Sequence, residues 1–453
     1  FSGVYDGGDK KITNLKLESA VNGNAALFGT VTGTVKNLTI DSTCSFAATQ
    51  WVGSFALFLK DGGKLENCVN NAPVTCTAVG STDGTINCFA GGLVARTTST
   101  WRGTPQNEIT NCQNTGAVTV GGEVKNFASA GGLIGGLNKA NMKNCVNTGE
   151  VSNENSQENY YGMRNNSTGG IAGQMNPLAD GGDSTLVGCV NAGAVIGGGN
   201  VGGLLGRLNY KGDDALLIES CLNSGAVSAA NVNSDQNVGG LLGLGYAEIR
   251  NSTNAGAISG ETTSGNANHG TIGGCLEREN STVAKCYAAQ SSVPVIGLQG
   301  TDALGGEITV ENDTTLLRDE EMKSQAFVDT LNAYTRPRTL VGVTFALPAE
   351  GEKHGYPVVA SCSRVQNYEA AIHAFTLAGR QGAIDEEKHT ISVFLPYGTA
   401  VTALTPEIET TQGAQLDKTG AQDFTNPVSY QVTSEDGSAS VAYTVTVTVA
   451  AQA

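Results

Sequence analysis

Two short motifs alternate along roughly the first 300 residues, and their spacing constrains the fold more than any other property of the chain. The first is a glycine pair followed by apolar residues, at Gly91-Gly92-Leu93, Gly131-Gly132-Leu133, Gly169-Gly170-Ile171, Gly202-Gly203-Leu204, Gly239-Gly240-Leu241 and Gly273-Gly274-Cys275. Successive copies lie about 33 to 40 residues apart, a period that belongs to stacked repeats. The second motif follows each time. Asn111-Cys112-Gln113-Asn114-Thr115-Gly116 and Asn144-Cys145-Val146-Asn147-Thr148-Gly149 are full copies, and Cys189, Asn191 and Gly193 repeat the pattern. So do Cys221, Asn223 and Gly225, then Ser252, Asn254 and Gly256, with Cys68 and Asn70 as a weaker opening copy. Two residues past each Gly stands a β-branched residue: Val118, Val151, Val195, Val227 and Ile258.

Each copy predicts three short strands and two tight corners: the Gly-Gly-Leu run, a strand ending at Cys, and a strand starting at Val. No copy has the ten or so periodic residues that a helix needs. Strands repeated in this way stack at about 4.8 Å per rung, so equivalent positions form columns. Leu, Ile and Val fill the interior, while paired glycines let backbones turn or approach closely. The Asn column (Asn70, Asn114, Asn147, Asn191, Asn223, Asn254) is expected to take left-handed corners and to hydrogen-bond up the stack. The Cys column is expected to hold buried thiols, because Ser252 replaces Cys without breaking the repeat; cross-rung disulfides are the alternative.

The runs Gly132-Leu133-Ile134-Gly135, Gly203-Leu204-Leu205-Gly206 and Gly240-Leu241-Leu242-Gly243 resemble the GLUG repeat of bacterial surface proteins. The opening Phe1-Ser2-Gly3-Val4-Tyr5-Asp6-Gly7 through Ile12, Asn14 and Leu15 resembles the coil that precedes such repeats. Met322, Phe327, Leu331-Asn332 and Gly355-Tyr356-Pro357-Val358 resemble the segment that closes them. The resemblance implies a right-handed parallel β-helix on a bacterial surface. Some members of the family sit beside a metallopeptidase, but this chain has no HExxH, so that activity does not carry over.

The expected architecture is all-β: a right-handed parallel β-helix over 1–315, a cap with one α-helix over 316–364, and an Ig-like β-sandwich over 365–453. The helix is read at Leu317 to Tyr334, with Asp319, Glu320 and Glu321 at its start and Met322, Phe327, Val328 and Leu331 on one face. From about Asn367 alternation takes over, at Thr390 to Leu395, Val428 to Val432 and Val441 to Val447. Glu435-Asp436-Gly437 is the hairpin turn between the last two. This region resembles the Ig-like or cadherin-like modules of bacterial surface proteins.

Composition narrows the partners. The 453 residues carry a net charge of −16 and no clustered basic stripe, which argues against nucleic acid. No run of 18 apolar residues predicts a membrane span. The chain opens on Phe1 in mid-repeat with neither Met nor signal peptide, as a processed chain without its targeting segment would. An extracellular or cell-surface monomer is expected, meeting glycans of host or dietary origin or surface proteins.

Catalytic β-helices place several carboxylates on one face of consecutive rungs. Here the rung strands hold almost no Asp or Glu, and Asp180, Asp183, Asp213 and Asp214, in loops between the glycine and Cys strands, are the nearest approach. They are read as solvated turn residues and weak metal candidates. His269, His354, His373 and His389 are scattered and pair with no nucleophile. No Cys/His spacing suits a metal, so neither metal nor cofactor is expected. Aromatic residues in long loops, Trp101-Arg102, Tyr160-Tyr161 and Tyr210-Lys211, are the candidate ligand-binding positions. The expectation is a non-catalytic cell-surface protein for adhesion, glycan binding or spacing. The alternative is a polysaccharide lyase or glycosidase that uses the loop carboxylates.

Overall fold

The computed structural model describes the chain apart from residues 20–22, 79–86, 101–105, 123, 125–126, 156–165, 176–182, 209–214, 233–235, 263–266, 277–280, 300–310, 335–340, 350–354, 365–369, 387, 412–413, 435–436, 438 and 453. It divides into two compact units, Phe1–Tyr334 with Val343–Cys362, and Thr335–Gly342 with Ser363–Ala453. Apart from two short helices, the regular structure of the described residues is all strand. Among the described residues no helix is long and apolar enough to cross a membrane.

In the first unit, strands one repeat apart pair in parallel and build long sheets compatible with a β-helix. One coil runs Cys88–Gly91, Val94–Thr98, Asn107–Thr110, Gln113–Asn114 and Val118–Gly122, each paired with its counterpart one repeat on. A coil therefore holds five strands, not the three expected. One extra break is the bend after the glycine pair, which stacks in its own right: Leu93 N donates to Leu133 O at 2.9 Å, and Leu133 N to Ile171 O at 2.9 Å. The other is a left-handed residue just before each Cys, and it forms a column of its own: Asn67, Asn111, Asn144, Gly188, Ser220 and Asn251.

The left-handed corner thus belongs to the Asn before the Cys, not to the Asn after it. The later Asn lies in an extended strand, so alternation turns both Cys and Asn inward and the residue between them outward. The first members of the earlier Asn column are exposed or half-buried, with Asn144 donating to Asn111, Asn111 to Asn67, Asn67 to Asn37, and Asn37 to Asp6, all at 2.9–3.1 Å. Ser220 and Asn251, further along, are buried.

The two sequence motifs meet inside the coil. A Cβ on Gly132 would lie 2.1 Å from Gly170 O and 2.4 Å from Asn147 Cγ, so the second glycine of the pair is the space that the Asn ladder fills. Register pairs Gly239 with Gly270, and the sixth copy of the first motif is therefore Gly270-Thr271-Ile272, three residues before the expected Gly273-Gly274-Cys275. Thr271 can stand in the glycine position because Ala288 takes the ladder position of that coil. Val118, Val151, Val195, Val227 and Ile258 share one register.

The single expected helix is two, α1 (Asp319–Met322) and α2 (Gln325–Asn332). Ser324 between them is extended, and its hydroxyl accepts from Phe327 N at 3.2 Å. A residue that caps a new helix so well also ends the old one. Met322, Phe327, Val328, Leu331 and Phe345 form a cluster against Tyr287, Tyr356 and Val359.

In the second unit, Ile372–Leu377 pairs antiparallel with Arg380–Gln381 and Pro406–Thr410. A five-stranded sheet runs Ala383–Asp385, Thr390–Leu395, Ser440–Val449, Val428–Thr433, Gln415–Leu416. Val428–Thr433 and Ser440–Val449 are antiparallel, whereas Thr390–Leu395 runs parallel to Ser440–Val449. Both sheets contribute to one core, which includes Ile372, Phe375, Ile391, Val393, Tyr430, Tyr443 and Val445.

Candidate functional site

The aromatic candidates Trp101, Arg102, Tyr160, Tyr161, Tyr210 and Lys211 lie outside the described residues, as do Asp180, Asp213 and Asp214. Asp183 is described and exposed, and it holds backbone: its Oδ1 accepts from Ala215 N at 2.7 Å, just ahead of the strand of the next coil. Among the described residues, no group of three or more His, Cys, Asp or Glu is placed to hold a metal ion. His354 also lies outside the described residues. His373 Nε2 is 3.0 Å from Thr411 Oγ1, His389 packs against the Tyr443 ring, and burial lowers the pKa of His269.

The inward-facing Asn ladder runs from Asn70 through Asn114, Asn147, Asn191 and Asn223 to Asn254, each amide donating to the next at 2.8–2.9 Å. Each side chain also donates to a carbonyl two residues on, as Asn114 does to Gly116 O at 2.8 Å. With every ladder member fully buried or nearly so, these amides face no solvent.

Beside the ladder, the thiols of Cys112, Cys145, Cys189 and Cys221 are free and buried. Burial pushes the Cys112 thiol well up and Cys286 to about 12, while the neighbouring thiols of Cys145 and Cys221, with burial, push Cys189 well up. One disulfide exists among the described residues. It joins Cys76, in the last strand of one coil, to Cys88, in the first strand of the next, and neither residue belongs to the Cys column.

The residue between Cys and Asn faces outward, and here a second row appears that the sequence reading passed over. Gln113, Val146, Val190 and Leu222 share one register on consecutive rungs. They floor a cleft of about 180 Å³, with Thr148, Ala192 and Ser224 beside them and Pro348, Gly355, Tyr356, Pro357 and Val358 opposite. The motif itself contained the signal: a valine or leucine between two inward residues must face outward, where an apolar row asks for cover.

Tyr356 is held in place. Its hydroxyl donates to Asp319 Oδ1 at 2.6 Å, Lys323 donates to Asp319 Oδ2 at 2.7 Å, and Lys323 Nζ lies 4.6 Å from the Tyr356 ring centre. Burial, with the adjoining Asp319 carboxylate, pushes the Tyr356 phenol to about 12. Hydrogen bonds from Lys323 and then Tyr356 hold the Asp319 carboxyl below its ordinary value. None of the described lining residues carries a charge at neutral pH.

The second unit offers a different surface. Along Thr390–Leu395, Ile391, Val393 and Leu395 point into the core, so Phe394 falls on the outward face at 65% exposed. Tyr397 follows at 59% exposed, its hydroxyl donating to Gln452 at 2.9 Å.

Residues 372–447, within this unit, match the family described as SGBP, N-terminal. No curated protein matches the chain. Among solved structures, a protein of Bacteroides thetaiotaomicron VPI-5482 provisionally described as a glycoside hydrolase is 34% identical, with a TM-score of 0.18; the match covers 20% of this chain and 27% of that one. A protein of Bacteroides ovatus provisionally described as an immunoglobulin A1 protease is 17% identical over 75% of this chain and 93% of its own, with a TM-score of 0.44. A protein of Bacteroides fragilis NCTC 9343 provisionally described as secreted is 19% identical over 24% and 92%, with a TM-score of 0.14. All three TM-scores are below 0.5, and none of these likenesses bears on function.

Proposed function

We propose that the chain is a non-catalytic glycan-binding protein of a bacterial cell surface. The observation that carries this reading is the match of residues 372–447 to SGBP, N-terminal, a description that stands for surface glycan-binding proteins. The long parallel sheets support a β-helix, which in this reading is built of GLUG-type repeats closing right-handedly; the reading adds α1 and α2 as its cap and an Ig-like unit after it. In that arrangement the stacked coils serve as a rigid scaffold, because each rung is fixed by its neighbours. Adhesion to a glycan-bearing surface is the narrower form of the proposal.

The test is affinity electrophoresis of the full chain in gels that contain soluble polysaccharides, a neutral set of glucan, mannan, galactan and xylan beside an acidic polygalacturonate. Retarded migration in at least one gel is expected. Unretarded migration in all of them, from protein that circular dichroism shows to be folded β-structure, would sink the proposal.

A further inference from the structure

We infer that the cleft on the outer face of the repeat unit, and not the unit that matches a known family, holds a neutral sugar residue of the bound glycan. The inference rests on the glycan-binding reading and names the site and ligand class within it.

Three properties of the lining lead there. The first is charge. In a protein of net charge −16, the described lining residues are Gln113, Thr148, Ser224, alanine, glycine, prolines and aliphatic side chains, with one tyrosine that stays protonated up to about pH 12. Among these described residues a charged ligand finds no counter-ion, and burying it without one is costly. A neutral one is spared that cost.

The second is the pattern of polar and apolar groups. Val146, Val190 and Leu222 make an apolar floor, one side chain per rung, at the strand spacing of about 4.8 Å. The Gln113 amide and the Thr148 and Ser224 hydroxyls border that floor, and Tyr356 stands opposite. A pyranose ring has the complementary chemistry: carbon-bound hydrogens on its faces and hydroxyls around its rim. Few, well-placed polar groups around an apolar surface are what orients such a ligand, and an aromatic ring with a fixed hydroxyl adds a flat apolar wall.

The third is size and preorganisation. About 180 Å³ is below the roughly 300–1,000 Å³ of sites for drug-sized ligands, so the cleft takes one ring of a longer chain. Its floor is fixed by the parallel ladder and its wall by the hydrogen bonds among Tyr356, Asp319 and Lys323. Little ordering is left to be lost on binding.

The experiment titrates the full chain calorimetrically with oligomers of the neutral polysaccharide that retards it best. Ala192→Trp fills the cleft, and Ser224→Glu adds a charge at its border; both positions are half-buried and face outward. Phe394→Ala and Tyr397→Ala remove the exposed rings of the matched unit. Melting curves check that each variant folds. Both cleft variants are expected to weaken binding by at least about tenfold, with the other two within about twofold of the parent. Undiminished binding by Ala192→Trp and Ser224→Glu overturns the inference and leaves the glycan-binding reading standing. Binding of polygalacturonate oligomers in preference to neutral ones also overturns it. If the parent binds no glycan, both fall together.

Discussion

Asn147 donates to Gly149 O and to Asn191 Oδ1, and it accepts from Asn114, all inside the coil. No water reaches the side chain, so each broken bond leaves a group that nothing else satisfies. Asn147→Ala therefore strands the Asn114 amide and removes the donor to Asn191, at about 1–3 kcal/mol for each orphaned group. Chemical denaturation should show a lower midpoint for this variant, whereas Asn144→Ala, at a half-buried position, should move it by less than half as much. The thiols carry a second expectation at this scale. Eight of the nine free cysteines are buried and Cys362 is half-buried, with its thiol pushed by burial to about 11. Because the raised pKa keeps the thiol neutral, iodoacetamide near pH 8 should label at most Cys362 in the native protein. Mass spectrometry after unfolding in denaturant should show nine labels.

Among the elements, the break between α1 and α2 depends on one hydroxyl. Ser324→Ala should cost about 1 kcal/mol, read as a lowered melting temperature, and Ser324→Asp should retain most of the lost stability. How far the sequence foretold its elements turns on the same kind of local detail. Columns of Val and Asn were legible because every rung must place the same side chain at the same point. The break at Ser324 was passed over although the sequence holds its trace: Met322, five residues before Phe327, is out of phase with the stripe of Phe327, Val328 and Leu331, and Ser324 stands where a cap would. The five-strand coil was hidden for a related reason: a left-handed residue at Asn111 or Asn144 divides a strand without disturbing its apolar pattern. Thr271 shows the limit from the other side, since a missing glycine there is explained only by Ala288, 17 residues further on and one fold of the chain away. The cleft escaped notice because its floor is written in the X of Cys-X-Asn and its wall in a distant segment.

At the scale of the whole molecule, two units with separate cores divide the work of stability. Binding in the proposed cleft draws on uncharged groups. The Tyr356 phenol is raised to about 12 and the Asp319 carboxyl beside it is lowered. For the raised phenol, the protonated form persists until pH climbs through the folded value; for the lowered carboxylate, the charged form persists until pH falls through its own. Glycan affinity should therefore be flat between about pH 5 and pH 9, a window in which neither group titrates. A bell-shaped profile across that window would point to acid–base groups at the site.

That contrast leads to the most direct test of the central claim, which is binding without cleavage. The full chain should be held with its preferred oligosaccharide at near-equal concentrations for a day, and the chain lengths read by mass spectrometry. A non-catalytic binder leaves the length distribution unchanged in a sample whose calorimetry shows the glycan bound. Shorter products, absent from a boiled control, would contradict it.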